Sequence, residues 1–437
     1  MVRSSNHVHN SLIDGLSAHA AWPAVTIVDG HLVVSSHALV RQVLADPDTY
    51  RPDNALDAMT PIPVAALRIL ARHRFRLPPT LANNGTLSHP RIRAIVAEAL
   101  HPYRVEEQRA WLTGLVRRRM TALRRRLREG GSVDLHAELT ADLPLLVLAR
   151  LVALPNAEIG AVKEFSRSAL ELFWAPLCAQ RQHELSEIVG PFHARLRRFV
   201  ATAPGMVARL RRETSNDEAV AALFFLLVAG QETTSQFLTL LLHRLAGEPA
   251  VNEDLNTGMI SVDDVVEEGL RLEPPIVTWR RIAARSTQLG GLDVAPGTHI
   301  VLWLARAGRD GAIVDQPDAF APGQRGSRRH LAFGAGAHRC VGAQLSRMEA
   351  AVVVEEAAPL LRGVRIERAP WYPDNLSFRM PDGLIVSAVR SPATASGRGG
   401  RTATGSASPV PPPGTPRAGH HRRPPVPHRP DHSRSDR

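Results

Sequence analysis

The chain has 437 residues, 44% hydrophobic and 22% charged, a balance that excludes a disordered polymer and suits one large soluble domain or two ordinary ones. No apolar run reaches the roughly eighteen residues of a membrane span, the polar start from Met1 to Asn10 has no signal-peptide core, and Cys178 and Cys340 are too few for a disulfide framework, so the expected compartment is the cytoplasm. The formal charge is +11, but eight arginines against two aspartates beyond Arg390 supply six of those charges, which removes most of the argument for nucleic acid.

Residues 1–20 are expected to be flexible. Two β-rich runs, Val25 to Val28 and His31 to Val34, flank Asp29-Gly30 and read as a hairpin. A helix follows from a cap at Ser36 to about Leu44, and Asp46-Pro47 stops it. Tyr50 to Leu87, broken by Pro52, Pro61, Pro63, Pro78 and Pro79, reads as loop. Ser88 and Pro90 open a helix toward Leu100 that carries His89 and Arg93 on one face. Arg104 to Leu127 reads as a helix whose arginine runs are a solvated face. Val133-Asp134-Leu135 reads as the start of another, kinked at Pro144. Two more, Ala157 to Phe173 and Gln180 to Arg197, surround the turn Trp174-Ala175-Pro176, with Cys178 inert.

The longest apolar helical pattern, Glu218 to Leu245, is interrupted by Ala229-Gly230-Gln231-Glu232-Thr233-Thr234-Ser235. Polar residues in a helix that is apolar on nearly all sides cost stability unless they have partners or a task. Threonine can bond back one turn and loosen the helix, while glycine leaves room against the backbone. An acid and an alcohol side by side, Glu232 and Thr233, suit proton delivery to a small molecule bound opposite.

Val262 to Leu272 is a short helix capped near Ser261, with Glu268 and Arg271 three apart and able to pair. Strands and turns follow from Arg280 to Thr298. Phe333-Gly334-Ala335-Gly336-Ala337-His338-Arg339-Cys340-Val341-Gly342 then leads into an apolar helical run, Ala343 to Leu361. Its glycines let backbone approach a large flat ligand, and the coming helix N-terminus favours a thiolate at Cys340. Ser391 to Arg437, rich in proline, glycine, arginine and histidine, is expected to be disordered.

The cysteine loop, the Ala229-to-Thr234 interruption and the Glu-x-x-Arg helix followed by Leu272-Glu273-Pro274-Pro275 together resemble the cytochrome P450 family, from about His31 to Val389. The resemblance implies a mainly α fold with small β-sheets (α+β), a single domain over residues 21–390, and a long central helix over the haem. It implies haem b, iron protoporphyrin IX, with Cys340 as the iron ligand. Phe333, Gly334, Gly342, Ala229 and Gly230 would lie against the haem, and His89, Arg93, Arg281 and His338 near its propionates. Glu232 and Thr233 would be catalytic, and Glu268 with Arg271 a structural pair.

Leu172, Phe173, Trp174, Leu226, Ile276, Val277 and Trp279 are candidates for the substrate pocket. The implied reaction is insertion of one atom of O2 into an apolar small molecule, a secondary metabolite by analogy with soluble bacterial members. Ferredoxin and a ferredoxin reductase would supply electrons through Arg328, Arg329, Arg339 and Arg347, and the protein would be a monomer. A haem-binding protein that does not oxygenate, and a peroxide-driven or rearranging enzyme on the same fold, remain as alternatives. One departure from the family pattern is Ala319, where a second bracing arginine is usual; Arg325 or a neighbour is the expected substitute.

Overall fold

The computed structural model describes residues 22–28 and 30–389. Residues 1–20 and 391–437, expected to be flexible, lie outside the described residues, as does Asp29. The hairpin forms from β1 (Val25–Val28) and β2 (His31–Val34), with Val25 opposite Val34. The Ser36 hydroxyl accepts the Leu39 amide and starts α1 (His37–Ala45). Beyond β3 (Tyr50–Arg51), the stretch expected as loop contains α2 (Val64–Arg72). Its prolines bound the helix at Pro63 rather than interrupt it, and Ala66, Ile69 and Leu70 make one buried stripe at helical spacing.

Helix α3 (His89–Ala99) starts where expected, but Ser88 is not its side-chain cap. The Ser88 hydroxyl instead accepts from Asn84 Nδ2 at 2.9 Å. The helix expected from Arg104 to Leu127 is divided into the one-turn Pro102–Glu106 and α4 (Arg109–Arg128). Val133 does not open a helix. It lies in β4 (Ser132–Asp134), opposite Val386, because a buried β-branched side chain and a free ladder edge favour the strand. A π-helical turn, His136–Thr140, leads to α5 (Leu143–Val152), where Pro144 sits in the first turn and makes no kink.

The paired helices α6 (Ile159–Trp174) and α7 (Ala179–Thr202) are followed by α8 (Gly205–Glu213), which the sequence reading passes over. Ser215 and Glu218 then form a reciprocal cap for α9 (Asn216–Ala229). The central helix expected over Glu218 to Leu245 is broken at Gly230-Gln231 and resumes as α10 (Glu232–Gly247). Thr233 Oγ1 donates to the Ala229 carbonyl at 2.8 Å across the break. A Cβ on Gly230 would lie 2.5 Å from the Leu226 carbonyl oxygen, so only glycine fits there.

Helix α11 (Pro249–Thr257) precedes α12 (Val262–Leu272), capped by Ser261. The strands β5 (Trp279–Ala283), β6 (Thr287–Leu289), β7 (Leu292–Val294) and β8 (His299–Leu302) come next, then α13 (Ala343–Leu361), β9 (Val364–Arg368) and β10 (Ile385–Ala388). One sheet runs β1-β2-β8-β5-β3, a second β4-β10-β9, and β6 pairs with β7. The fold is thus mainly helical with small sheets, and α9, α10 and α13 are buried through its centre.

Helix α12 braces the chain behind the cysteine loop. Glu268 and Arg271 are both fully buried and paired, at 2.7 and 2.8 Å. The remaining Arg271 donors reach the carbonyls of Gly308, Gln316, Pro317 and Ala319. Glu268 accepts in addition from the Ala321 amide, Gln324 Nε2 and Ser327 Oγ at 3.0, 2.7 and 2.8 Å. Gln324 and Ser327 therefore satisfy the carboxylate in a chain that has Ala319. Arg325 does not: it is exposed and pairs with Asp315.

Candidate active site

The cysteine loop closes on itself through the Cys340 amide, which donates to the Phe333 carbonyl at 2.8 Å. Gly336, at φ +67°, passes so near α1 that a Cβ there would lie 2.4 Å from the Leu44 carbonyl oxygen. Phe333 carries the Arg347 guanidinium 4.5 Å above its ring. Arg347 is in turn fixed by Glu267, which also accepts from His330 at 3.3 Å.

Burial opposes ionisation of Glu267, but hydrogen bonds from His330 and Arg347, with their charges, outweigh it and hold its carboxyl at about 2 against an ordinary 4.5. A depressed carboxyl stabilises the fold above its unfolded pKa and loses that contribution as pH falls toward the folded one. We expect Glu267→Gln to cost about 3 kcal/mol at neutral pH, from the shift alone. In urea titrations the gap between variant and wild type should close as pH falls from 4.5 towards 2; a pH-independent gap would contradict the assignment.

Cys340 opens onto a cavity with about 1370 Å³ of free space, its mouth included. Depth in the fold raises the Cys340 thiol pKa, while the Gly342 amide and the charges of Arg93, Arg339 and Arg347 act the other way and favour thiolate. On the same wall stand Phe333, Gly334, His338 and Gly342.

Arg93 and Arg281 line the cavity as well, and neither has a carboxylate partner among the described residues. Arg93 donates to the Arg339 carbonyl at 2.6 Å, and Arg281 to the Arg280 carbonyl at 2.8 Å while its buried Nε has no acceptor. Burial pushes Arg281 down to about 10. His338 is bonded through Nδ1 to the Leu81 carbonyl at 3.1 Å, and burial pushes its pKa down to about 4, helped by His89, Arg281 and Arg93. His89 does not reach the cavity wall. It packs behind His338, ring centroids 4.2 Å apart, with its Nε2 buried and unpartnered.

A thiol flanked by a buried guanidinium, Arg281, and a half-buried one, Arg93, neither with a carboxylate partner among the described residues, is the donor set a haem needs: sulfur for the iron and guanidinium for two carboxylates. The residues present fit the group.

Ala229, Gly230, Thr233 and Thr234 line the same cavity, so the break between α9 and α10 opens onto it. The remaining wall is apolar: Leu226, Ile276 and Trp279, as expected, with Leu148, Phe225 and Phe378, which the sequence reading missed. Phe225 was visible as part of the apolar run, but no local signal marks Phe378, which arrives from a loop a hundred residues away. Leu172, Phe173, Trp174 and Val277 do not line the cavity. Trp174 stacks behind Trp279 at 6.2 Å and meets Phe378 edge-on at 5.0 Å, so this group supports the wall from outside.

Glu232 also departs from the expected arrangement. Its side chain is 1% exposed and points away from the cavity, at 2.7 Å from Lys163 Nζ and 3.0 Å from Gln231 Nε2.

The chain matches the family model described as Cytochrome P450 over residues 193–357. It is similar to cyclomarin C epoxidase CymV of Salinispora arenicola, 30% identical over 375 residues, covering 81% of this chain and 85% of that protein. A second relative is the cytochrome P-450 monooxygenase DoxA of Streptomyces sp. strain C5, 30% identical over 352 residues, with 74% and 79% covered. In fold the chain is similar to the Acinetobacter radioresistens CYP116B5 heme domain, with a TM-score of 0.79 at 24% identity, covering 89% of this chain and 96% of that one.

Proposed function

Because this chain belongs to the cytochrome P450 family of haem-dependent monooxygenases, we propose that it inserts one oxygen atom of O2 into an apolar small molecule, by hydroxylation or epoxidation, in secondary metabolism. The observation that carries this reading is one cavity lined by Cys340, by the Thr233 helix break and by apolar side chains. Bound at Cys340, the haem supplies oxygen activation and oxygen-atom transfer. The chain's own residues do the rest. Arg93, Arg281 and His338 hold the haem carboxylates, with His89 supporting His338, and Phe333 with Gly334 and Gly342 shapes the sulfur side.

Phe225, Leu226, Ile276, Trp279 and Phe378 exclude water and orient the substrate by shape. Thr233, on the cavity wall, holds a proton at Oγ1, and Glu232, next in the chain, is the carboxyl that replenishes it. That CymV is an epoxidase and DoxA a monooxygenase supports the reaction class, and the apolar wall supports the substrate class. An absorbance-shift screen of the purified ferric protein against polyketides, terpenoids and hydrophobic peptides tests it. At least one class should shift the haem spectrum; if none does while imidazole still binds, the substrate assignment fails.

For the electron donor the reading is an acidic ferredoxin, itself served by a reductase. Of the four arginines expected to receive it, Arg328 is engaged by Asp264 and Arg347 by Glu267. Arg329 and Arg339 are exposed and have no carboxylate partner among the described residues. Arg329→Ala with Arg339→Ala should slow ferredoxin-driven reduction several-fold at low salt and less at high salt. Stopped-flow reduction at unchanged rate would remove this docking face.

A further inference from the structure

Phe333, at the head of the cysteine loop, lies in a clamp closed by one carboxylate. Glu267, on α12 and 4% exposed, accepts from two nitrogens of the Arg347 guanidinium and pairs with His330 Nε2 at 3.3 Å. Both partners meet the same ring. The guanidinium sits 4.5 Å above the Phe333 ring, and the His330 imidazole lies with its centroid 5.8 Å away. A planar guanidinium can face a ring and offer its edge to a carboxylate at once, which an ammonium cannot.

Among the described residues two other arginines cover aromatic rings, Arg150 over Trp111 and Arg379 over Tyr372, and neither ring belongs to the cavity wall. Phe333 does. It lines the cavity with Cys340, whose amide donates to the Phe333 carbonyl, and Arg347 stands in the second turn of the helix that follows. The Arg347 charge reaches the Cys340 sulfur and favours thiolate there. Arg93 and Arg339 act in the same direction. Arg93, however, is assigned to a haem carboxylate and Arg339 is exposed to water, so Arg347 is the cation whose place the fold fixes.

We infer that Arg347 serves the haem and not the electron donor: it is a positioning residue, gripped by Glu267, that holds a positive charge against Phe333 and so makes the iron at Cys340 easier to reduce. In that step one electron passes from the reduced donor to the iron, and no bond of the chain forms or breaks. Reduction adds negative charge to the site. A fixed positive charge beside it therefore stabilises the reduced state over the oxidised one.

Glu267 offsets part of the charge it holds. Burial opposes its ionisation, but His330 and Arg347 outweigh burial, so the carboxylate is charged at neutral pH. The two members of the ion pair thus act on the iron with opposite signs. That opposition separates a charge effect from a packing effect, because a loosened Phe333 would move the potential the same way whichever member is lost.

This inference rests on Cys340 holding the haem, which the carbon monoxide spectrum of each sample reports separately. Spectroelectrochemical titration of the substrate-free holoenzyme gives the midpoint potential. Arg347→Gln should shift the balance of ferric to ferrous protein at a given potential about tenfold towards ferric, a midpoint about 59 mV lower for one electron. Glu267→Gln should move the midpoint upward. Arg347→Lys, which keeps the charge, should stay closer to wild type than Arg347→Gln.

An unmoved midpoint in Arg347→Gln, or a downward shift in Glu267→Gln as well, would overturn the proposal. Stopped-flow reduction by ferredoxin supplies the second readout. Arg347→Gln should keep the salt dependence of wild type; a weaker salt dependence with the midpoint unmoved would assign Arg347 to docking and overturn the proposal. A wild-type carbon monoxide spectrum without the thiolate band fails the ligand assignment itself, and this inference with it.

Discussion

Arg271→Met is expected to destabilise the protein by about 3–5 kcal/mol, the cost of stripping a buried charge of its partner. That is a large part of the 5–15 kcal/mol by which domains are usually stable. The size follows from what the guanidinium does. It neutralises Glu268, which is fully buried, and donates to four carbonyls on the chain between Gly308 and Ala319. Without it, Ala321, Gln324 and Ser327 still donate to the carboxylate but supply no positive charge.

Gln324→Ala should cost less, about 1–3 kcal/mol, since it removes one neutral donor and leaves the ion pair. Urea unfolding of both variants gives the comparison. A loss below 1 kcal/mol for Arg271→Met, or a larger loss for Gln324→Ala, would mean that this network is not what holds the region behind the cysteine loop.

The second large effect is functional. Thr233→Ala should reduce product formed per electron consumed at least tenfold, within the roughly 10²–10⁴ that a positioned proton donor contributes. Oxygen and electrons should still be consumed and should end in peroxide. The helix break should survive, because Gly230 and its close approach to Leu226 do not depend on the hydroxyl. What is lost is the hydroxyl that bridges the break, on a residue that lines the cavity. Thr233→Ser should retain coupling, and full coupling in Thr233→Ala would count against the proton-supply role of the break and in favour of a reaction driven without it.

The parts of the site that were legible in the sequence are those where local backbone needs dictate residue type. Gly336 must be glycine because α1 leaves no room for a Cβ, and Gly230 because the preceding turn leaves none, so both motifs are written in the chain itself. Glu268 and Arg271 were legible for a similar reason, lying three apart on one helix.

What was not legible depends on distant packing. Helix α2 hides among prolines that bound it. The wall behind Trp279 is set by Phe378 and Trp174, whose meeting no local pattern encodes. The orientation of Glu232 depends on Lys163, sixty-nine residues earlier, and spacing alone assigned it to the cavity. Composition did carry a trace of that contact, since a lone lysine among arginines is visible by counting.

The central claim is that the sulfur of Cys340 holds the iron. The direct measurement is the absorbance spectrum of the reduced protein under carbon monoxide. The account predicts the red-shifted Soret band of a thiolate-ligated haem, lost in Cys340→His. A band at the shorter wavelength of a nitrogen-ligated haem in the wild-type protein, or a thiolate band that survives Cys340→His, would contradict it.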